Sequence, residues 1–429
     1  MVLRVFRGRA QKKRARKKGY HASRAAVTLL ATTATTIPFD PVLAQDAPVD
    51  TIAGLPRRGY EPRTILLGHW VIAPTLETRA AYNTNILATS ANPRSDLVLT
   101  ISPRIAVSRI GNTNELQVDG HAALYRYGRT ARETVDTFGT KAQFRQYIKS
   151  AHAIAATLSY DRTFEQRADP EADIASARRP ALIDASNGEL QYRYTGSRIG
   201  ASVTLGANRF DYRAAADRDR DLRTYRIVVR GSLILSPRIS LFVQPYTNWR
   251  EPDLAFDRSG VQRATFTIGS LAGLTVDLTD RIQGELGVGL FRADPADPRL
   301  VSFTGLAASG RLTWRPRIRT AVSLDVFRGD VATIRIGAIG RVDGNIALRV
   351  EQEARHNLLM DATVGIRSVG YRGLSGQNQR YFRTSLGARY LVNRQLSLGV
   401  EAGYLARDAR DQSRQFDRWQ GSLTIRLVL

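Results

Sequence analysis

The stretch Gly421-Ser422-Leu423-Thr424-Ile425-Arg426-Leu427-Val428-Leu429 decides how the rest of the chain is read. Leu423, Ile425, Leu427 and Leu429 fall on one face of an extended segment. Ser422, Thr424 and Arg426 fall on the other, where Val428 is the one apolar residue. A period of two marks a strand with one apolar and one wet face. Such an apolar face covers a core in a soluble sheet, or meets lipid in a barrel whose polar side lines a lumen.

Working outward, the same alternation recurs after each tight turn. Ile239, Leu241, Val243, Pro245 and Trp249 alternate with Ser240, Gln244, Tyr246 and Asn248. Ile282, Leu286, Val288 and Leu290 alternate with Gln283, Glu285, Gly287 and Gly289. Ile318, Val322, Leu324 and Val326 alternate with Arg319, Ser323 and Asp325. Leu396, Leu398, Val400, Ala402 and Tyr404 alternate with Gln395, Ser397, Gly399 and Glu401. Charges recur on the second face alone. The runs have the ~9–11 residues of a tilted membrane strand.

Connections alternate between short and long. Short turns read Leu235-Ser236-Pro237-Arg238-Ile239, Leu278-Thr279-Asp280-Arg281-Ile282, Trp314-Arg315-Pro316-Arg317-Ile318 and Leu391-Val392-Asn393-Arg394-Gln395. Pro, Asp and Asn are turn residues. Longer polar loops are expected at Ala168–Arg179, Ala214–Asp221, Glu251–Gly260, Arg292–Arg299 and Arg407–Asp417. Short turns on one side and long loops on the other are the pattern of outer-membrane barrels. From Trp70 onward the count is about eighteen strands, with roughly sixteen possible because Val331–Gly340 is ambiguous. The expected fold class is therefore all-β, a transmembrane antiparallel up-and-down barrel over 67–429.

Composition agrees. The 429 residues include no Cys, which excludes a disulfide framework and Cys-ligated metal. No stretch in the mature part approaches the ~20 apolar residues of a membrane helix. A closed barrel is the other structure that satisfies every backbone group in lipid.

The net charge of +24 is partly a leader effect. Residues 1–44 carry ten Lys/Arg and one acid, Asp40, leaving 53 basic against 38 acidic residues, a net +15. That leader has a basic n-region, a short run at Ala25–Ile37 and Val42-Leu43-Ala44 before Gln45. It reads as a signal peptide cut after Ala44, followed by an extended periplasmic lead-in over 45–66. In the remainder only Lys141 and Lys149 are lysines. Codon bias explains that; guanidinium forks suited to phosphate and carboxylate partners explain it too. The charges are dispersed instead of striped, so nucleic acid is not an expected partner. Outer-membrane lipid and lipopolysaccharide are.

Trp249, Trp314, Tyr390, Tyr404 and Trp419 sit near strand ends on the apolar face, as an aromatic girdle does. Lumen-lining candidates are Arg226, Arg230, Arg311, Arg319, Arg367, Arg383, Arg389, Glu285, Asp325 and Glu401. Arg193, Arg349, Arg426, Glu189, Asp277, Glu351 and Asp361 share their face. Two readings stay open: a path for anionic or sugar-like solutes, or Arg–carboxylate pairs that merely fill the barrel.

The segment Trp70–Val107 contains Pro74-Thr75-Leu76-Glu77, Tyr82-Asn83-Thr84-Asn85-Ile86, Ser95-Asp96-Leu97-Val98 and Ser102-Pro103-Arg104-Ile105. Later come Val369-Gly370-Tyr371-Arg372-Gly373 and Leu386-Gly387-Ala388-Arg389-Tyr390-Leu391. These resemble the outer-membrane "β-barrel porin 2" family over most of residues 60–429. Its members open with a Pro-x-Leu strand, a Tyr-Asp-x-Asn step, an acidic pair and a turn-like Ser-Pro step. Asn83 replaces the usual Asp, which speaks against a cation role there. The resemblance implies a link to exopolysaccharide production and export in Gram-negative bacteria, and export machinery as a partner. It brings no catalytic residues.

No G-x-S-x-G, Walker loop or H-E-x-x-H occurs. His121 and Asp119 form an i, i+2 pair on a lumen-facing side, the one place for an enzyme reading. The Asp-rich loops read as solvated surface. No catalytic residue, metal or cofactor is expected. The leading expectation is a porin-like barrel supporting export or passage of a surface polysaccharide or other solute. Its alternatives are a closed structural barrel in an envelope complex and, third, an outer-membrane hydrolase.

Overall fold

The computed structural model describes residues 51–172, 178–257, 260–278, 281–335, 337–373 and 378–429. The expected leader over 1–44 and the first residues of the lead-in lie outside these. A short strand, β1 (Ile65–Leu67), precedes β2 (Trp70–Asn83), β3 (Asp96–Ile110), β4 (Asn114–Tyr127), β5 (Val135–Ile148) and β6 (His152–Phe164). Next come β7 (Leu182–Thr195), β8 (Ile199–Tyr212), β9 (Leu222–Ser236), β10 (Ile239–Pro252), β11 (Thr265–Leu278) and β12 (Ile282–Pro295). The last are β13 (Phe303–Arg317), β14 (Thr320–Val331), β15 (Gly340–Arg355), β16 (Leu358–Arg372), β17 (Gln379–Leu391), β18 (Leu396–Ala409) and β19 (Phe416–Val428).

From β2 to β19 every strand pairs antiparallel with its chain neighbours. The ring closes where β19 meets β2, from Gln420 opposite Asn83 to Val428 opposite Thr75. Eighteen strands therefore form a closed barrel with no free edge in the wall, the condition for a sheet in lipid. The stretch that opened the sequence reading is the closing seam. Beyond it, β1 takes the rest of the β2 edge, with Leu67 opposite Trp70 and Ile65 opposite Ile72. Between the two, the Leu429 amide donates to the Pro74 carbonyl at 3.1 Å.

Prolines mark the irregular rungs. Pro103 lies inside β3, and the β3–β4 ladder skips from Ile101–Leu124 to Arg104–His121 around it. The Ser-Pro step expected to be turn-like is thus a gap in a strand, because proline has no N–H to donate. Pro245 leaves the same gap between β10 and β9. Near Pro316, the β13–β14 register shifts between Trp314 and Arg317.

All short turns and β1 lie at one end of the barrel, and all long loops at the other. Three expected loops begin later than the sequence suggested: Glu251 and Pro252 belong to β10, Arg292–Pro295 to β12 and Arg407–Ala409 to β18. The wall runs 12 to 16 residues per strand, more than the ~9–11 a bilayer needs. Hydrogen-bonded backbone can continue above the lipid, where outward charges pair; Arg292 and Asp294 do so at 2.9 Å.

Leu423, Ile425 and Leu427 are exposed outward with Leu158, Val288 and Leu306. An apolar exterior of this extent marks a surface that meets lipid or a partner, and it matches the outward apolar band of outer-membrane barrels. Trp249, Tyr404 and Trp419 stand outward toward the loop end, and Trp314 and Tyr390 toward the turn end. Tyr404 and Trp419 pack with ring centroids 4.7 Å apart, and Trp249 lies 5.2 Å from Phe266. Inside, the wall of β9–β13 is packed by Phe242, Tyr246, Leu271 and Phe291. Gly287 and Gly305 make room for this: a Cβ there would come within 2.9 Å of the Phe242 ring and 2.5 Å of the Phe291 ring.

Candidate functional site

Parity along a strand, carried across the ladders, puts the inward set on one continuous surface. Several of its charges are paired. On β9, Arg230 meets Glu285 of β12 at 2.8 Å and lies 3.8 Å from the Phe242 ring centre. Arg311 and Asp325 pair across β13–β14. Arg367 of β16 meets Asp343 of β15 at 2.6 Å. Arg79 of β2 meets Glu401 of β18 at 3.0 Å. The Gln283 amide donates to Asp277 at 3.0 Å. Arg226 of β9 stands opposite Gly206 and Asn248. Arg193 and Glu189 line β7, Arg349 and Glu351 line β15, and Asp361 lines β16, all on the inward parity.

A different arrangement runs down β17 and β19. Arg383 and Arg418 stand on one rung, on either side of Leu405. Toward the turn end, Arg389 faces Gly399 of β18, and Arg426 faces Ser397 one step further on. Among the described residues these four guanidiniums make no ion pair and no hydrogen bond. Of the inward β18 residues beside them, Gly399 and Gly403 carry no side chain, and Glu401 is held by Arg79. The column is therefore a strip of guanidiniums with no bonded carboxylate along one lumen wall; Glu77 stands opposite Arg426 across β19–β2. Of its members Arg418 was not singled out from the sequence, although it lies on the same parity as Arg426.

Both mouths are covered by chain. At the loop end, the β6–β7 loop turns inward; it was expected as solvated surface. Glu171 crosses to β15, nine strands round the ring, and meets Arg341 at 2.7 Å. The Tyr371 hydroxyl donates to the Pro170 carbonyl at 3.0 Å. Arg341 is almost wholly buried and is also held by Asp343 at 2.9 Å, as a buried cation requires. The loop between β14 and β15 joins in, with the Thr333 hydroxyl donating to Glu171 at 2.9 Å. Its Ala332 and Ile334 pack on Ile183, Tyr212 and Leu222 of the facing wall. Asp169, beside Gln166, Arg367 and Arg418, has its carboxyl pushed up to about 7 by burial. The Asp-rich loop over 214–221 pairs as well: Arg220 with Glu165, and Arg178 with Asp217 at 3.5 Å.

At the turn end, residues 51–64 run as a strap from β1 to β15. Ile52 is buried. Glu353 holds Arg57 of the strap at 3.1 Å and Arg319 at 2.7 Å. The His356 ring lies 2.9 Å from the Arg58 carbonyl and edge-on to Tyr60 at 5.7 Å. Nothing in the sequence pattern marks Glu171 or Glu353 for these roles, since each acts across the barrel.

His121 sits in the wall between two carboxylates, 3.2 Å from Asp161 and 3.7 Å from Asp119. Asp119 is also bound by Arg104 at 2.5 Å. This is a charge network of β3, β4 and β6.

Comparison with known proteins gives the fold a family. Among solved structures, the FrpB iron transporter of Neisseria meningitidis (F3-3 variant) is 12% identical, with TM-score 0.45 over 80% of this chain. The match spans 62% of the FrpB chain, so this protein covers less than two thirds of it. OccAB3 of Acinetobacter baumannii is 10% identical, TM-score 0.45, over 85% of this chain and 100% of that one. The outer-membrane protein OpdK of Pseudomonas aeruginosa is 11% identical, TM-score 0.45, over 83% and 99%. No curated protein matches the sequence. The family described as "Putative beta-barrel porin 2" matches residues 58–428. This chain, a closed porin-like barrel of outer-membrane type, belongs to that family.

Proposed function

We propose that the barrel sits in a Gram-negative outer membrane and passes an anionic solute along the β17–β19 wall. The observation that carries this reading is the column Arg383, Arg418, Arg389 and Arg426, four inward guanidiniums that form no ion pair or hydrogen bond among the described residues. Filling a barrel does not require them; Arg230 with Glu285 fills it while remaining neutral. Unpaired guanidinium forks match carboxylate, sulfate and phosphate groups. An acidic surface polysaccharide presents such groups in series, and it is the cargo the family resemblance favours. Export machinery on the periplasmic side would then meet the strap over 51–64.

One observation favours a second reading, a closed structural barrel: chain covers both mouths. Reconstitution in planar bilayers separates the two. Stable current carried mainly by anions supports passage. Folded, heat-modifiable protein that gives no current under any voltage or pH would refute passage and leave the structural role.

A further inference from the structure

A groove of about 650 Å³ runs down the outside of the wall over β5–β9. Its origin is one rung of the sheet. Leu158, Gly188, Ala207 and Tyr225 lie side by side across β6, β7, β8 and β9. Two large side chains flank two small ones, so the rung is a trough by construction. A Cβ on Gly188 would meet only Leu158, at 3.5 Å. The next outward rung toward the loops carries Tyr160, Ser186, Arg209 and Arg223. The two arginines stand directly opposite one another, a pairing of like charges that a sheet avoids unless something anionic answers it. Asp211 takes Arg209 through its Nε at 2.8 Å, and Asp253 lies 3.1 Å from the Arg223 Nε. Arg209 Nη2 also lies 3.7 Å from Asp253, but the Nη groups of both arginines make no hydrogen bond among the described residues, and the side chains are 50% and 42% exposed. One rung higher come Arg162, Asp184 and Asp211.

The order from the mid-wall outward is thus apolar trough, paired guanidiniums, mixed charge. We propose that this groove docks a phosphorylated glycolipid of the outer leaflet, of the lipid A type, with an acyl chain in the trough and a phosphate on Arg209 and Arg223. The trough opens on the lipid-facing surface, so its occupant is a lipid. It lies within six residues of the long-loop ends of β7, β8 and β9, which places it in the outer leaflet. A bidentate guanidinium pair selects a phosphate over a neutral headgroup. The neighbouring carboxylates of Asp184, Asp211 and Asp253 suit a headgroup whose phosphates arrive with counter-cations. The inference is independent of whether the lumen conducts.

Native mass spectrometry of the detergent-extracted full chain tests it, with purified lipid A as probe and phosphatidylglycerol as comparison. The expected result is one retained lipid A. Affinity should fall about tenfold in Arg209→Gln/Arg223→Gln, the loss of one charged hydrogen-bonded contact. It should fall similarly in Gly188→Leu/Ala207→Leu, which fills the trough. Heat-modifiable migration checks the fold of each variant, and the two pairs act on different surfaces, so one suffices if the other misfolds. Lipid A binding unchanged in a folded variant would overturn the site. Phosphatidylglycerol bound as tightly as lipid A would overturn the glycolipid assignment.

Discussion

Replacing Arg383 and Arg418 together by Gln is the sharpest test of the guanidinium column. The two residues share a rung on either side of β18. Two strand spacings separate their backbones by roughly 9–10 Å, so an ion passing midway lies about 6 Å from each charge. In water one unit charge at that range contributes about 0.7 kcal/mol, and 0.1 M salt screens this to about 0.4 kcal/mol. The pair favours an anion by about 0.8 kcal/mol and disfavours a cation by as much, a spread of about 1.6 kcal/mol. The anion-to-cation permeability ratio should therefore fall roughly tenfold to fifteenfold in the double variant. Reversal potentials under a KCl gradient in planar bilayers measure it directly. The neutral exchange Arg230→Gln/Glu285→Gln is the control, since it removes an internally compensated pair. A double variant that conducts with unaltered selectivity, or a control that shifts as far, would refute the idea that guanidiniums without a bonded carboxylate set the path.

Three further outcomes follow from the mouths. Glu353→Gln removes the one carboxylate shared by Arg57 and Arg319. It should free the strap, speeding tryptic cleavage at Arg57 and Arg58 several-fold while the barrel stays heat-modifiable; unchanged cleavage would show that the strap is held elsewhere. Glu171→Gln weakens the loop's hold on Arg341 by about 1–3 kcal/mol, and single-channel open time should lengthen. Burial raises the Asp169 carboxyl from 3.8 to about 7, so the packed loop favours its neutral form. That contribution is complete below about pH 4 and is lost as pH rises through 7. Conductance should thus be lower at pH 5 than at pH 8, and Asp169→Asn should flatten the difference; an identical pH profile in the variant would exclude Asp169.

The faces of the wall were legible from the chain alone. Successive side chains in a strand point to opposite sides, so the alternation at Leu423, Ile425 and Leu427 settles which residues meet lipid whatever their partners are. Alternating short and long links likewise settled the up-and-down order and brought the strand count to the observed eighteen. Partners across the barrel could not be read. That Arg230 has a bonded carboxylate and Arg383 has none depends on register between strands far apart in sequence. The inward turn of the β6–β7 loop is of the same kind, since Glu171 gains its position from Arg341, 170 residues away. The outer groove needed four strands in register before Gly188 and Ala207 became neighbours. Local periodicity is a property of one strand, and the chain carries it openly. Compensation of charge, closure of the mouths and the shape of a surface belong to pairs of strands, and exist only once the ring has closed.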